Sequence, residues 1–326
     1  MKIGNTRLRS LCTIGMLALC PALTAAQAYP NKTMRIIVPI GTGGAQDFVA
    51  RLVAQALGVA VGQQVIVDNR PGAGGIIGTA LAAKSLPDGY TLVLVAASYT
   101  AQPGLYTRLP YDPVKDFAPI TQLGGQAYLL LVHPSVPAKS IKEFIAVAKA
   151  ERGKLSYGST GNGELSNLAM ELLKTLGDFD AVHVPYKGSA AAMGLLAREV
   201  DAFFPAITSG MPHVKSGKAR LLAVTTLKRA TLLPEIPTIA ESGFPGYEVN
   251  GWYGLLAPAS TPRQIVSKLN LEVAKVLELP SVKDAQLNSG RSLVPGGNSP
   301  ENFAANIKTE IARWGKVIKQ AGIKLD

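Results

Sequence analysis

Short apolar runs rich in β-branched residues alternate along the chain with longer stretches that carry one apolar face. Several runs are apolar throughout, as expected for strands that helices cover on both faces. The longer stretches repeat apolar residues every three or four positions, which predicts amphipathic helices. The pattern therefore predicts an α/β fold with mostly parallel sheets. The predicted strands are residues 34–39, 64–68, 91–96, 128–132, 155–158, 182–186, 200–204 and 221–226. The predicted helices are residues 46–58, 75–84, 140–150, 164–176, 189–197, 262–278 and 301–320.

Two irregular segments that contain several proline and glycine residues interrupt this alternation. They are residues 109–125 and 233–254. The chain forms one α/β block before the first segment, a second α/β block between the two segments, and returns to the first block after the second segment. Two chain crossings that bend together are typical of a hinge between domains. We therefore predict one lobe formed by residues 29–124 plus 250–326, and a second lobe formed by residues 125–249.

The first 28 residues have the features of a secretory signal peptide. A basic start precedes an apolar stretch over residues 11–19 that is too short to span a bilayer, and residues 26–28 fit a small-x-small cleavage site. The alternative is lipoprotein processing at Cys20, although the leucine before this cysteine fits that cleavage poorly. The sequence therefore predicts an exported protein with a periplasmic location.

Cysteine content and charge exclude several classes of function. Both cysteines, Cys12 and Cys20, lie in the predicted signal peptide, so the mature chain has no disulfide, no catalytic thiol and no cysteine metal site. Removing the three basic residues of this segment from the formal net charge of +11 leaves +8. The basic residues form no cluster and no stripe with interleaved aromatics, so nucleic acid is not a predicted partner.

Two loops of glycine and hydroxyl residues each stand between a predicted strand and a predicted helix, one in each predicted lobe. The first N–H groups of a helix have no partner within it, and aligned peptide dipoles leave about half a positive charge there. Glycine lets an anion approach these N–H groups closely. The loops therefore predict a site for a carboxylated solute, although a double glycine before a helix is also common where a chain merely turns sharply. The candidate binding residues are Ile40, Gly41, Thr42, Gly43, Gly44, Ser159, Thr160, Gly161 and Asn162.

Asp47 follows the first loop, and its position allows two interpretations. It either lies in the first helical turn, where a negative charge is favoured, or helps to shape the pocket and accepts a hydrogen bond from a ligand. A free carboxylate that faced an anionic ligand would repel it. Asp47 is therefore expected to point aside or to select a ligand that carries a donor.

Common motifs of phosphate, metal and nucleophile sites are missing from the sequence. It contains no GxxxxGK[ST] loop, no HExxH pair and no GxSxG elbow, and its three histidines are far apart. The glycine-rich segment 69–84 is one residue off the dinucleotide fingerprint, and no acidic residue ends a second strand about 20 positions on. We predict a tight turn with close helix packing there, and a protein that is no enzyme and has no metal and no cofactor.

An ordered set of short motifs runs through nearly the whole chain that follows the predicted signal peptide. The motifs include RIIVP at residues 35–39, VDNRPGAGGIIG at 67–78, LSYGSTGNG at 155–163, HVPYKG at 183–188 and WYGLLAPASTP at 252–262. In this order they resemble the substrate-binding proteins of tripartite tricarboxylate transporters, also called the Bug family. The resemblance implies a two-lobed type II periplasmic-binding-protein fold, a Venus flytrap with two hinge-crossing segments.

The family resemblance also implies a function and a set of contacts. It implies a small carboxylate held between the two loops, with Asp47 and Ser98 as further contacts. It implies delivery to the two subunits of a membrane permease, although many relatives are orphans without one, and we expect a monomer. Two positions depart from the family: Gly41-Thr42 replaces the usual Pro-Pro, and Asn167 stands where many relatives have histidine. The first departure loosens the loop and adds a hydroxyl, so ligand preference is expected to differ. The second replaces a group that can titrate with an amide, so pH-linked recognition is not expected.

Two other functions stay open at this point. A ligand-loaded sensor that presents its complex to a signalling receptor would share these sequence features, and neighbouring permease or sensor-kinase genes would separate the two roles. An exported hydrolase could assemble a catalytic triad from residues that are distant in sequence, and turnover of ester or amide substrates would reveal it.

Overall fold

A computed structural model provides the fold. The described residues are Met1, 29–151, 153–188, 190–289, 292–293 and 298–325. The predicted signal peptide, with the alternative processing site at Cys20, lies outside them. Within the described residues the strands gather into two sheets, and helices pack on both. No helix in this part of the chain is long and apolar enough to cross a membrane.

The strands and helices follow the predicted alternation over most of the described chain. The strands are β1 (Met34–Val38), β2 (Val65–Asn69), β3 (Thr91–Ala96), β4 (Phe117–Ala127), β5 (Leu129–Val132), β6 (Ser156–Ser159), β7 (Val182–Pro185), β8 (Ala202–Phe203), β9 (Arg220–Val224), β10 (Asn250–Pro258) and β11 (Ser292–Leu293). The helices are α1 (Ala45–Val61), α2 (Ile76–Ala83), α3 (Gln102–Leu105), α4 (Ile141–Ala150), α5 (Leu165–Gly177), α6 (Ala190–Leu196), α7 (Ile207–Lys215), α8 (Arg263–Glu278), α9 (Pro280–Asn288) and α10 (Pro300–Ala321).

The first sheet has the strand order β11-β4-β10-β3-β1-β2. β1 lies parallel to β2 and β3, whereas β10 runs antiparallel to β3 and β4. Ile36 of β1 packs with the buried residues of α1 and α8, while its neighbour Ile37 packs with those of α2 and α10. Helices thus cover both faces, which explains why β1 is apolar from Ile36 to Val38 and β3 from Leu92 to Ala96.

The second sheet has the strand order β7-β6-β8-β5-β9. β6 lies parallel to β7 and β8, whereas β5 runs antiparallel to β8 and β9. Leu130 of β5 packs with α4 and α5 on one face, and Leu131 packs with α6 and α7 on the other. The α/β class is confirmed. The prediction of mostly parallel sheets is wrong, because β10 in the first sheet and β5 in the second, each the first strand after the chain passes from one sheet to the other, run antiparallel to both of their neighbours.

β4 and β10 carry the chain between the two sheets. β4 ends at Ala127, and β5 of the second sheet begins at Leu129. β9 of the second sheet ends at Val224, and the chain re-enters the first sheet at Asn250, where β10 begins. β4 and β10 pair antiparallel along their whole length, with register shifts at two positions. The sequence pattern predicted irregular segments at these positions, and both strands were missed. The lobe boundaries remain a prediction.

Candidate functional site

A cleft of about 850 Å³ lies where the two sheets approach each other. The first sheet contributes the residues that follow β1 and β3 and the first residues of β10. The second sheet contributes the loop after β6, the end of β8 and parts of α6 and α7. In α/β sheets, ligands bind beyond the carboxyl ends of the strands, so the cleft occupies the expected place for a ligand.

Aromatic and small apolar residues line much of the cleft, and its polar groups are mostly neutral. The described lining residues include Glu164 and His213 but neither lysine nor arginine. An anion in this cleft would therefore be held by N–H groups and hydroxyls rather than by a basic side chain.

The first loop reaches the cleft with its opening residues and with the start of α1. Ile40 and Gly41 line the cleft, followed by Ala45 and Gln46. Thr42, Gly43 and Gly44 are not among the lining residues. Gly44 is the extended N-cap residue of α1 and makes no side-chain cap, so the first N–H groups of the helix are left for a ligand or water. The candidate loop residues in full are Ile40, Gly41, Thr42, Gly43 and Gly44.

Asp47 does not line the cleft, and its side chain stabilises the first loop. Its buried carboxylate accepts hydrogen bonds from the N–H of Gly43 at 2.9 Å, from Nδ2 of Asn69 at 2.9 Å and from Nε of Arg51 at 3.0 Å. Burial alone would raise the pKa of Asp47, but these hydrogen bonds outweigh it and lower the pKa below its ordinary value. Asp47 is therefore ionised and fixes the shape of the loop.

Ser98 lines the cleft from the turn after β3, which continues as a short 3₁₀ helix from Ala97 to Thr100. Gly74 and Gly75, in the glycine-rich segment 69–84, line the cleft beside it. A side chain on Gly78 would meet backbone atoms of Arg70 and Pro39 at 2.6 and 2.9 Å, which confirms the predicted close packing of this segment.

Thr160 is the residue of the second loop that lines the cleft. Side chains of the same region already occupy several N–H groups of this loop. The N–H of Thr160 donates to Oγ of Ser166 at 2.9 Å, and the N–H of Gly161 donates to Oγ of Ser159 at 3.2 Å. Ser159 is buried and also shares a 2.7 Å hydrogen bond with Nε2 of His183, while Asn162 is exposed.

Asn167 lies on α5 behind the second loop and is not on the cleft lining. Its Oδ1 accepts from the N–H of Gly163 at 3.0 Å, and its Nδ2 donates to the hydroxyl of Tyr157 at 2.7 Å. The residue is 2% exposed. The structure therefore places Asn167, like Asp47, where it holds a loop rather than where it meets a ligand.

Sequence reasoning missed the part of the cleft that is formed by β4 and β10, the two hinge strands. Gln126 of β4 and Trp252 of β10 line the cleft and are 4% and 3% exposed. Oε1 of Gln126 and Nε1 of Trp252 are buried and have no hydrogen-bond partner among the described residues. Buried polar atoms are usually paired, so these two are candidates to meet a ligand or water. Recognising β4 and β10 as strands would have revealed them.

Comparison with known proteins supports the family that the motifs indicated. The model of the tripartite tricarboxylate transporter family receptor matches residues 49–323. BugT of Bordetella pertussis is 33% identical over 323 residues, which cover 97% of this chain and 98% of that protein. Rpa4515 of R. palustris, solved with adipate, is 37% identical with a TM-score of 0.80, over 91% of this chain and 100% of that one. MatC of Rhodopseudomonas palustris, solved with bound malate, is 32% identical with a TM-score of 0.77, over 89% and 100% of the two chains.

The likeness extends from sequence to architecture. The solved relatives have the two-lobed fold of periplasmic binding proteins, and Rpa4515 is covered from end to end by this chain. The predicted type II fold, with two lobes and two hinge crossings, is thereby confirmed. Since the family match runs through most of the described residues, the chain belongs to the tripartite tricarboxylate transporter receptor family of solute-binding proteins.

Proposed function

We propose that the protein is a periplasmic receptor that captures a small carboxylated organic solute and delivers it to a tripartite tricarboxylate-type permease. The observation that carries the proposal is a cleft that both sheets line and whose described residues include hydroxyls but no lysine or arginine. Such a cleft suits an anion held by backbone N–H groups. Rpa4515 with adipate and MatC with bound malate support the same class of ligand here.

We also propose how the chain divides into the two lobes of the receptor. Lobe 1 comprises residues 29–124 plus 250–326, and lobe 2 comprises residues 125–249, so that the cleft lies between them. The division keeps each sheet within one lobe except at the end of β4, which supports it. The receptor is exported through residues 1–28, acts as a monomer and performs no chemical turnover.

We also propose which residues contact the ligand and which hold the loops in shape. Ile40, Gly41 and the first N–H groups of α1 receive the carboxylate, and the hydroxyl of Ser98 stands beside them. The hydroxyl of Thr160 approaches from the second loop when the lobes close. The residues that keep the two loops in shape are Thr42, Gly43, Gly44, Asp47, Ser159, Gly161, Asn162 and Asn167.

Organic acids of the correct size are expected to raise the melting temperature of the protein. A ligand that binds only the folded state, at a concentration of about 100 times Kd, adds roughly 2.7 kcal/mol of stability. Thermal melting with di- and tricarboxylates, aromatic acids and acidic amino acids measures the effect, with neutral sugars as the control. The proposal would be contradicted by a panel in which no acid shifts the melting temperature.

Binding is expected to make the protein more compact. Closure of the lobes excludes water and adds contacts that only the closed state has, so the ligand shifts the population toward that state. Small-angle X-ray scattering measures the radius of gyration with and without an acid that raises the melting temperature. Superimposable curves in the two conditions would argue against closure.

A further inference from the structure

Glu164 contributes the one side-chain carboxyl group among the described residues that line the cleft. It is the N-cap residue of α5, and its side chain makes no hydrogen bond to cap the helix. Its backbone takes part in the turn instead, since the N–H of Glu164 donates to the oxygen of Gly161 at 3.3 Å. The carboxyl group is therefore not used by the helix that carries it.

The described lining of the cleft holds no side chain of permanent positive charge for this carboxyl group. The described lining residues include no lysine and no arginine, and the imidazole of His213 is on a different element, α7. Burial raises the pKa of Glu164 above its ordinary value. A carboxylate in this setting is stabilised by any hydrogen-bond donor or positive charge that a ligand brings.

The strand β4 and the residue that follows it also contribute acceptor atoms to the cleft lining. Tyr128 lines the cleft together with Glu164, and burial raises the pKa of its hydroxyl above the ordinary value. Gln126, two residues before Tyr128, has its Oε1 buried and unpaired within the described structure. The carboxyl group of Glu164 and Oε1 of Gln126 are therefore acceptors in the cleft lining, whereas Nε1 of Trp252 and the first N–H groups of α1 are donors.

We propose that Glu164 makes the cleft select organic acids that carry a hydrogen-bond donor, an ammonium or hydroxyl group, at the end away from the bound carboxylate, and that it disfavours dianions. The inference rests on the proposed function, because the first loop must anchor the carboxylate for the other end to reach Glu164. A second carboxylate at that end would meet a like charge, while an ammonium group would supply the missing cation.

Matched acids that differ only in the distal group test the proposal. The six-carbon series is adipate, ω-aminohexanoate, ω-hydroxyhexanoate and hexanoate, and the four-carbon series is succinate, γ-aminobutyrate, γ-hydroxybutyrate and butyrate. Calorimetric titration of the purified full chain measures each affinity. The wild-type protein is expected to bind the amino or hydroxy member of a series about tenfold or more tightly than the dianion, the size of one charge-assisted hydrogen bond.

The Glu164→Gln variant keeps the size of the side chain and removes its charge. It is expected to lose most of the preference for the amino acid over hexanoate or butyrate and to bind the dianions more tightly than the wild-type protein does. Glu151→Gln is the matched control, because Glu151 is exposed at the end of α4 and is not on the cleft lining. The control is expected to retain the wild-type order of affinities.

The outcomes distinguish a failure of the selectivity proposed for Glu164 from a failure of the proposed receptor function. If the wild-type protein binds dianions as tightly as their amino and hydroxy analogues, and Glu164→Gln changes nothing, the inference is overturned while the carboxylate receptor stands. The same holds if adipate or succinate binds more weakly to Glu164→Gln, since Glu164 would then donate a proton to the second carboxylate. If no acid of either series or of the wider panel binds, the proposed function fails and the inference with it.

Discussion

Replacing Asp47 with alanine is expected to lower the free energy of unfolding by about 2–3 kcal/mol and to weaken the binding of organic acids. Hydrogen bonds to a charged group contribute roughly 1.5–3 kcal/mol each, and they are not additive. The bonds from Gly43 and Asn69 carry most of the expected effect. The bond from Arg51 contributes little, because about half of the arginine side chain is exposed and solvent screens the pair.

Urea denaturation of the wild-type and Asp47→Ala proteins measures the loss of stability. Asp284→Ala is a suitable control, because Asp284 is exposed on α9 and its side chain makes no hydrogen bond or ion pair with the described residues. Binding is measured on the same samples with the acid that gave the largest melting shift. Equal denaturation midpoints for the wild-type and Asp47→Ala proteins would show that the carboxylate does not hold the loop.

The contribution of Asp47 to stability also has a defined pH dependence. The pKa of Asp47 is lowered in the folded protein, whereas an aspartate in the unfolded chain has a pKa of about 3.9. Its stabilising effect is therefore complete above that pH and is lost as the pH falls through the lower, folded pKa. The difference in unfolding free energy between the wild-type and Asp47→Ala proteins should shrink accordingly below pH ~4.

The helices and strands with strong apolar periodicity could be predicted from the sequence, but the hinge strands could not. β4 contains Pro119 and the pair Gly124-Gly125, residue types that strands disfavour. Its partner β10 lies more than a hundred residues away in the chain, and the two are held by pairing with each other. The local sequence does not indicate such a distant partner, so the sequence pattern predicted irregular segments in place of both strands.

α7 was missed for a related reason. Gly210 and Pro212 lie within this helix, and both residue types disfavour a helix interior. The helix forms because Ile207 and its neighbours pack against β5 and β8 in the core of the second sheet. Tertiary packing therefore overrides the local preference of the chain.

The candidate site was only partly predictable from the sequence. Ile40, Gly41, Ser98 and Thr160 line the cleft as expected. Glycine-rich loops can be recognised from composition, but which of their residues reach the cleft depends on the fold. The sequence did not single out Glu164, because its significance depends on the other described residues that line the cleft, which include no lysine or arginine and come from elements distant in sequence.

Replacing Lys174 with methionine is expected to have a larger effect, lowering the free energy of unfolding by about 3–5 kcal/mol. Nζ of Lys174 donates to Oε1 of Glu171 at 3.1 Å, and the two side chains are only 18% and 9% exposed. Methionine preserves the packing of the lysine stem but leaves the Glu171 carboxylate buried without its cation. Lys275→Met is the matched control, because Lys275 forms a similar pair with Glu272 and is 59% exposed. It should change stability by less than about 1 kcal/mol.

The effect of Lys174→Met should reach the second loop. Glu171 also accepts from the hydroxyl of Tyr157, and that hydroxyl accepts from Asn167, which holds the N–H of Gly163. A shifted Glu171 thus disturbs the loop that carries Thr160, so binding should weaken together with stability. Adding Glu171→Gln to Lys174→Met removes the unpaired charge, and the double variant should regain much of the lost stability. A double variant as unstable as Lys174→Met alone, in urea denaturation, would show that the buried charge is not the cause.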